Sequence, residues 1–231
     1  MLRHLLSSGG SVTDVIVNVL LTVPIIVFSL SVHEYAHGWV AKKMGDSTAA
    51  NLGRLTLNPL KHLDPIGFAC MVLFGFGWAK PVPVNSRNFK NPRRGMAITA
   101  AAGPLSNLLL ALIFGLLMTV TLKTVRLSGS DGLDSFFYYL YVFLYYGTLL
   151  NCFLAVFNLL PIPPFDGSRI FFIFLPAKWY FAIMKYERFI MIGVLVLLWT
   201  GIIQIPFSAL AGLIMDGIVF IWDKALFFIG S

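Results

Sequence analysis

The feature that most constrains this chain is a series of apolar runs as long as a bilayer is thick. A hydrocarbon core of about 30 Å needs about 20 apolar residues in a helix, because every peptide group in it must be satisfied within the segment. The first run spans residues 12–41, and before His33 only Asp14, Asn18 and a few small hydroxyl residues interrupt it. Long runs follow at 96–122 and 136–160, and shorter ones at 189–205 and 206–222. The last two are separated by Pro206 with almost no polar loop, so their boundary is weak and they read as two spans or a kinked hairpin. Composition agrees: 12% of the residues are charged and 58% hydrophobic, against about 25% charged in a soluble domain.

The expected fold is therefore an all-α polytopic membrane protein, with a three-span core plus about two C-terminal spans. The whole chain, 1–231, reads as one membrane-embedded domain with its core at about 12–170 and C-terminal spans at about 189–222. No second domain, low-complexity tract or internal repeat is visible. The N-terminal stretch around Arg3 is too long for a signal peptide and lacks a small-residue cleavage site, so it reads as part of a retained first span. Cys70 and Cys152 are far apart, in apolar surroundings and in no CxxC pattern, so they read as inert thiols.

Between the first two spans, residues 66–79 are apolar but too short to cross comfortably. The "KPVPVNSRNFKNP" that follows has the alternation and prolines of a short extended edge. A re-entrant or extended element, β-like in part, is expected here. Backbone of that kind survives at membrane depth only where protein or water satisfies it.

The net charge of +7 reports topology rather than nucleic-acid binding. The basic residues form no continuous stripe, and aromatic stacking signatures are absent. Nine basic residues lie between positions 42 and 94. With five spans, fourteen basic residues fall on one side and three on the other. That bias places the 42–94 loop in the cytoplasm and the N-terminus outside, in a multi-pass protein expected in the cell membrane.

Near the inner end of the first span stands "HEYAH". On a helix His33 and His37 share one face, so both rings can reach one zinc ion, and Glu34 can take a proton from zinc-bound water. The bland alternative, polar residues anchoring a helix end at the headgroups, suits Tyr35 and Trp39 better than the ionisable three. A catalytic zinc needs a third protein ligand and an open position. Asp64, Asp166, Glu187 and Asp216 are the candidates. Asp166 follows the third span at the same membrane depth as HEYAH, and Pro161, Pro163 and Pro164 stop the helix before it. Gly167 allows a tight turn after it. Asp64 reads more simply as a cap before Pro65, and Asp216 as an acid hydrogen-bonded to a neighbouring helix. Gly103-Pro104, with Ser106 and Asn107 beside it, reads equally as a kink that exposes backbone to the site and as a packing kink.

HEYAH, "GRLTLNP", "AGPLSN" and "NLLPIPPFDG" occur in an order that resembles the site-2 protease family of intramembrane zinc metalloproteases. The likeness runs from about Ser31 to Ile170. The family's second motif has Leu before its Asp, where this chain has Phe165. The resemblance implies His33, His37 and Asp166 as ligands of one zinc per chain and Glu34 as catalytic acid/base. It also implies that Asn158 helps orient the scissile peptide or its oxyanion. Hydrolysis requires a polar pocket open to the cytoplasm. An unwound substrate helix needs hydrogen-bonding partners, and Pro81, Val82, Pro83, Val84 and Asn85 form the expected edge for it. The expected activity is an intramembrane zinc endopeptidase acting on transmembrane segments. The alternative is a metal-binding membrane transporter or sensor, which predicts acids and histidines spread along several spans. Neither the substrate nor the oligomeric state is specified by these motifs.

Overall fold

The computed structural model describes residues 12–74, 77–127, 135–200 and 204–227. Expectations that fall on residues 1–11, 75–76 and 201–203 lie outside the described residues. Eight α-helices of six or more residues occur among the described residues: α1 (Val12–Lys43), α2 (Pro65–Phe74), α3 (Pro92–Leu127), α4 (Ser135–Asn158), α5 (Asp166–Phe171), α6 (Ala177–Met184), α7 (Glu187–Thr200) and α8 (Gln204–Ala225). Four of them, α1, α3, α4 and α8, are long and apolar enough to cross a membrane. No strand occurs among the described residues.

The other three long helices pack around α3. Its face carries small residues where the neighbours come closest. Ala111 of α3, Cys152 of α4 and Ala211 of α8 are fully buried, with Met118, Leu144, Met215 and Ile218 filling the space around them. Helices in lipid gain little from burying apolar surface against each other, so close backbone approach and a few polar ties hold them together. The Asn151 amide donates to Ser29 Oγ at 2.9 Å, joining α4 to α1. The Trp222 indole donates to the Leu112 carbonyl at 2.9 Å, joining α8 to α3. Large apolar side chains cover the outside, including Leu20, Leu105 and Leu213, each more than 60% exposed, as a lipid-facing surface requires.

The C-terminal part differs from the five-span count in one respect. The run at 189–205 is helical over Glu187–Thr200, and residues 201–203 lie outside the described residues. The last helix starts at the end of the bundle where α4 finishes. Phe207 meets Phe157 near the end of α4, and Asp223 pairs with Lys123 at 3.1 Å, near the far end of α3. Lys224 therefore lies at the end with Lys123, not with the 42–94 loop.

The stretch between α1 and α3 goes out and back. Asp64 Oδ1 accepts the Gly67 N–H at 2.8 Å and so caps the start of α2, as expected of a residue before Pro65. Downstream of α2 the chain returns to where it began. Leu63 and Ala79 form a single antiparallel bridge, and the Lys80 N–H donates to the His62 carbonyl at 2.7 Å. With α2 only 10 residues long, both ends of the excursion sit at one level. The PVPVN segment that follows belongs to no strand, because it has no partner strand and two of its residues lack an N–H.

Candidate metal centre

His33 and His37 lie one turn apart on α1, buried in the bundle at 4% and 8% exposure. Asp166 arrives from the other side. Helix α4 ends at Asn158, the proline-rich turn reverses the chain, and α5 opens with Asp166. Gly167 makes this reversal possible by close approach. A Cβ there would lie 2.2 Å from the Leu159 carbonyl oxygen, so α5 packs directly on the end of α4. Its φ is not positive, so the tight turn expected at Gly167 is in fact a tight contact.

The three side chains converge. His33 Nε2 and His37 Nε2 are 3.0 Å apart, and Asp166 Oδ2 is 3.1 Å from each. They form the one group of three or more potential metal ligands found among the described residues. Asp64, Glu187 and Asp216 are not in it. Asp216 is exposed on α8 and has no hydrogen-bond partner among the described residues, so the expected bond to a neighbouring helix is not made.

The donor set fits a divalent metal. The Nδ1–H of His37 donates to the Thr99 carbonyl at 2.8 Å, and His33 Nδ1 meets Asn107 Oδ1 at 3.1 Å. With its proton held on Nδ1, each neutral ring turns an unprotonated Nε2 towards the other ring and towards a carboxylate oxygen. Lone pairs gathered at 3.0–3.1 Å repel one another until a cation joins them. The separations are close to the roughly 3.3 Å between ligands on tetrahedral zinc with bonds of about 2.0–2.1 Å. The cradle also depends on a missing side chain. A Cβ on Gly103 would lie 2.5 Å from His37 Nε2 and 2.6 Å from His33 Nε2, so only bare α3 backbone can cross at this point.

Around the triad lies a cavity of about 270 Å³, lined also by Glu34, Val82, Val84, Thr99, Asn158 and Arg169. Glu34 Oε2 accepts the Val82 N–H at 2.7 Å. Asn158 faces the cavity but commits one amide hydrogen to the Leu154 carbonyl of its own helix, at 2.9 Å. Arg169 has its guanidinium 3.9 Å from Met96 Sδ. Pro81, Val82 and Val84 of the expected edge line the cavity; Asn85 instead donates its N–H to Asp46 at 2.7 Å.

Sequence reasoning did not single out Thr99, Arg169 or Asp46, and it assigned no ligand-orienting role to Asn107. Asp46 is fully buried and accepts from the Thr48 hydroxyl and amide, the Asn85 amide and the Asn88 side chain. Burial alone would raise its carboxyl; these bonds outweigh it and hold the carboxyl below its usual range. No motif marks an acid that is defined by partners about 40 residues away.

Comparison with known proteins identifies a family. The sequence model of peptidase family M50 matches residues 21–141 and 134–201. The chain is 48% identical over 148 residues to a Bacillus subtilis protein named "Putative zinc metalloprotease YwhC", covering 63% of this chain and 64% of that one. Two relatives with the same form of name are MJ0611 of Methanocaldococcus jannaschii and Rip2 of Mycolicibacterium smegmatis. The first is 34% identical over 60% of this chain and 62% of its own length. The second is 32% identical over 61% and 52%. The matches thus span between about half and just under two thirds of these relatives. No solved structure matches the chain.

Proposed function

The chain belongs to peptidase family M50, and from that premise we propose that it is an intramembrane zinc endopeptidase that hydrolyses peptide bonds within or near transmembrane segments. One observation carries the reading: two imidazole Nε2 atoms and a carboxylate oxygen lie 3.0–3.1 Å apart in a cavity that also holds Glu34. His33, His37 and Asp166 are the residues that would hold one zinc. When bound, zinc supplies a Lewis acid that polarises a carbonyl and makes water nucleophilic near neutral pH.

The chain's own groups supply the rest. Glu34 takes the proton of the attacking water and returns it to the leaving amine. Thr99 and Asn107 fix the imidazoles with Nε2 facing inward. Asn158 has a second amide hydrogen for the scissile carbonyl or its oxyanion. A substrate helix hides its peptide groups in its own hydrogen bonds and must unwind locally. Residues 81–85 beside the cavity offer an edge for the unwound strand.

The proposal treats 1–231 as one membrane-embedded unit whose core is about 12–170. The site lies at the end of the bundle that carries the basic 42–94 loop, which supports a pocket open to the cytoplasm of a cell-membrane protein. A transporter or sensor would spread ionisable side chains along the spans. Among the described residues the potential ligands instead gather at one depth.

The test uses the full chain in detergent with a fluorophore–quencher peptide of about 20 apolar residues, interrupted by Gly-Pro near one end. The wild type should cut it. Glu34→Gln should lose about 10²–10⁴-fold in rate and keep its zinc. Loss of zinc together with cleavage would contradict a role for Glu34 as base alone.

A further inference from the structure

The segment between α2 and α3 that lines the cavity is clamped at both ends. At one end the Lys80 N–H donates to His62 at 2.7 Å, and the Arg54 guanidinium donates to the Lys80 and Pro81 carbonyls at 2.8 and 3.2 Å. At the other, the Asn85 N–H donates to buried Asp46. Between the clamps the Val82 side chain is buried and packs over Gly38 of α1. One turn earlier on α1 stands Glu34, whose Oε2 accepts the Val82 N–H at 2.7 Å.

The prolines decide which backbone groups remain. Pro81 and Pro83 have no N–H to give. The Val84 N–H and the carbonyls of Val82, Pro83 and Val84 have no hydrogen-bond partner among the described residues. The segment thus offers unpaired peptide groups beside the cavity, while one of its amides grips the carboxylate proposed as the base.

We propose that the Val82 backbone amide is a positioning group for Glu34, so that the segment open to a substrate strand also sets the catalytic base. The proposal rests on the protease reading above. A glutamate side chain turns about three bonds and, left free, spreads over several rotamers. A charge-assisted hydrogen bond from a backbone held at both ends fixes one oxygen and leaves Oε1 to receive the proton. A displacement of about 1 Å at a reacting group costs about 10²-fold in rate. A strand pairing at Val84 and its neighbouring carbonyls would act on the same backbone that orients Glu34. Substrate engagement and base orientation thereby become one event.

The test compares Val82→Pro, which deletes the N–H, with Val82→Ala, which keeps it, using the same peptide and zinc measured on each preparation. Val82→Pro should lose about 10–100-fold in kcat with KM within about twofold and zinc unchanged, a loss at least about tenfold greater than that of Val82→Ala. If Val82→Pro keeps its kcat, or both variants lose it equally, the amide is not the positioning group. If Val82→Pro does not fold, Arg54→Gln loosens the same segment and should show the same split; an unchanged kcat overturns the proposal. A second measurement needs no turnover. Val82→Pro should lower the melting temperature less in a Glu34→Ala background than in the wild type, since the partner is already gone. Equal shifts overturn the link. A wild type that cuts nothing overturns the protease reading instead, and the melting cycle still decides whether Val82 and Glu34 are joined.

Discussion

Gly103→Ala adds a single methyl group, yet the structure gives it a large effect on metal binding. The new Cβ would sit 2.5 Å from His37 Nε2 and from His33 Cε1. Ordinary contact begins at 3.4 Å, so the imidazoles or the α3 backbone must give way by about 0.9 Å. The rings cannot retreat freely, because Thr99 and Asn107 on α3 hold their Nδ1 atoms. Zinc sites tolerate ligand displacements of about 0.2 Å. The clash is more than four times that, so zinc affinity should fall by at least the roughly 100-fold seen at the upper end for lost ligand-orienting contacts. The folding cost should be the smaller consequence, about 1–3 kcal/mol for one overpacked methylene. The assay is zinc per chain by elemental analysis after dialysis against a weak chelator, with a melting curve on the same sample. A folded Gly103→Ala protein that retains one zinc per chain would show that α3 does not wall the metal cradle.

Three further outcomes follow from particular contacts. Asn107→Leu keeps the volume but removes the acceptor at His33 Nδ1 and should weaken zinc binding about 10–100-fold, read by competition with a fluorescent chelator. Asp46→Asn should cost about 1–3 kcal/mol at pH 7, because Asp46 alone gathers Thr48, Asn85 and Asn88. The folded carboxyl is depressed below its ordinary 3.8, so its contribution is complete above that value and disappears as pH falls through the lower, folded one; the melting gap between wild type and Asp46→Asn should hold from about pH 7 to 5 and close below about pH 4. Finally, in a chain lacking Cys70 and Cys152, an impermeant maleimide should label Lys224→Cys and Lys123→Cys from one side and Lys42→Cys from the other; labelling of Lys224→Cys together with Lys42→Cys would reverse α8.

Sequence and structure agree where a local pattern carries the physics. Helix periodicity alone puts His33 and His37 on one face, and the prolines before Asp166 stop α4 where the carboxylate must turn back. Apolar runs of bilayer length announce α1, α3 and α4 because lipid leaves a spanning backbone no alternative. What the sequence conceals is relational. Nothing local in "AGPLSN" says that Gly103 lies against two imidazoles or that Asn107 accepts from one of them, since those contacts join α3 to α1. Asp46 looks like an ordinary loop acid because its partners come from the far side of α2. Charge counting put Lys224 with the 42–94 loop because it depends on how many helices cross, whereas Asp223 beside it pairs with Lys123 near the far end of α3. PVPVN reads as an extended edge, yet it joins no strand; its grip on Glu34 is a tertiary contact between residues 48 positions apart.

The central claim is that His33, His37 and Asp166 together hold one zinc. X-ray absorption at the zinc edge on the purified wild type and Asp166→Asn, with Asp216→Asn as a control from α8, tests it most directly. The account predicts one zinc per wild-type chain, ringed by two imidazole nitrogens and by oxygen at about 2.0–2.1 Å with no sulfur. It predicts the same spectrum in Asp216→Asn and loss of the metal in Asp166→Asn. A sulfur ligand, a zinc that survives Asp166→Asn unchanged, or a folded wild type that binds no zinc would contradict it.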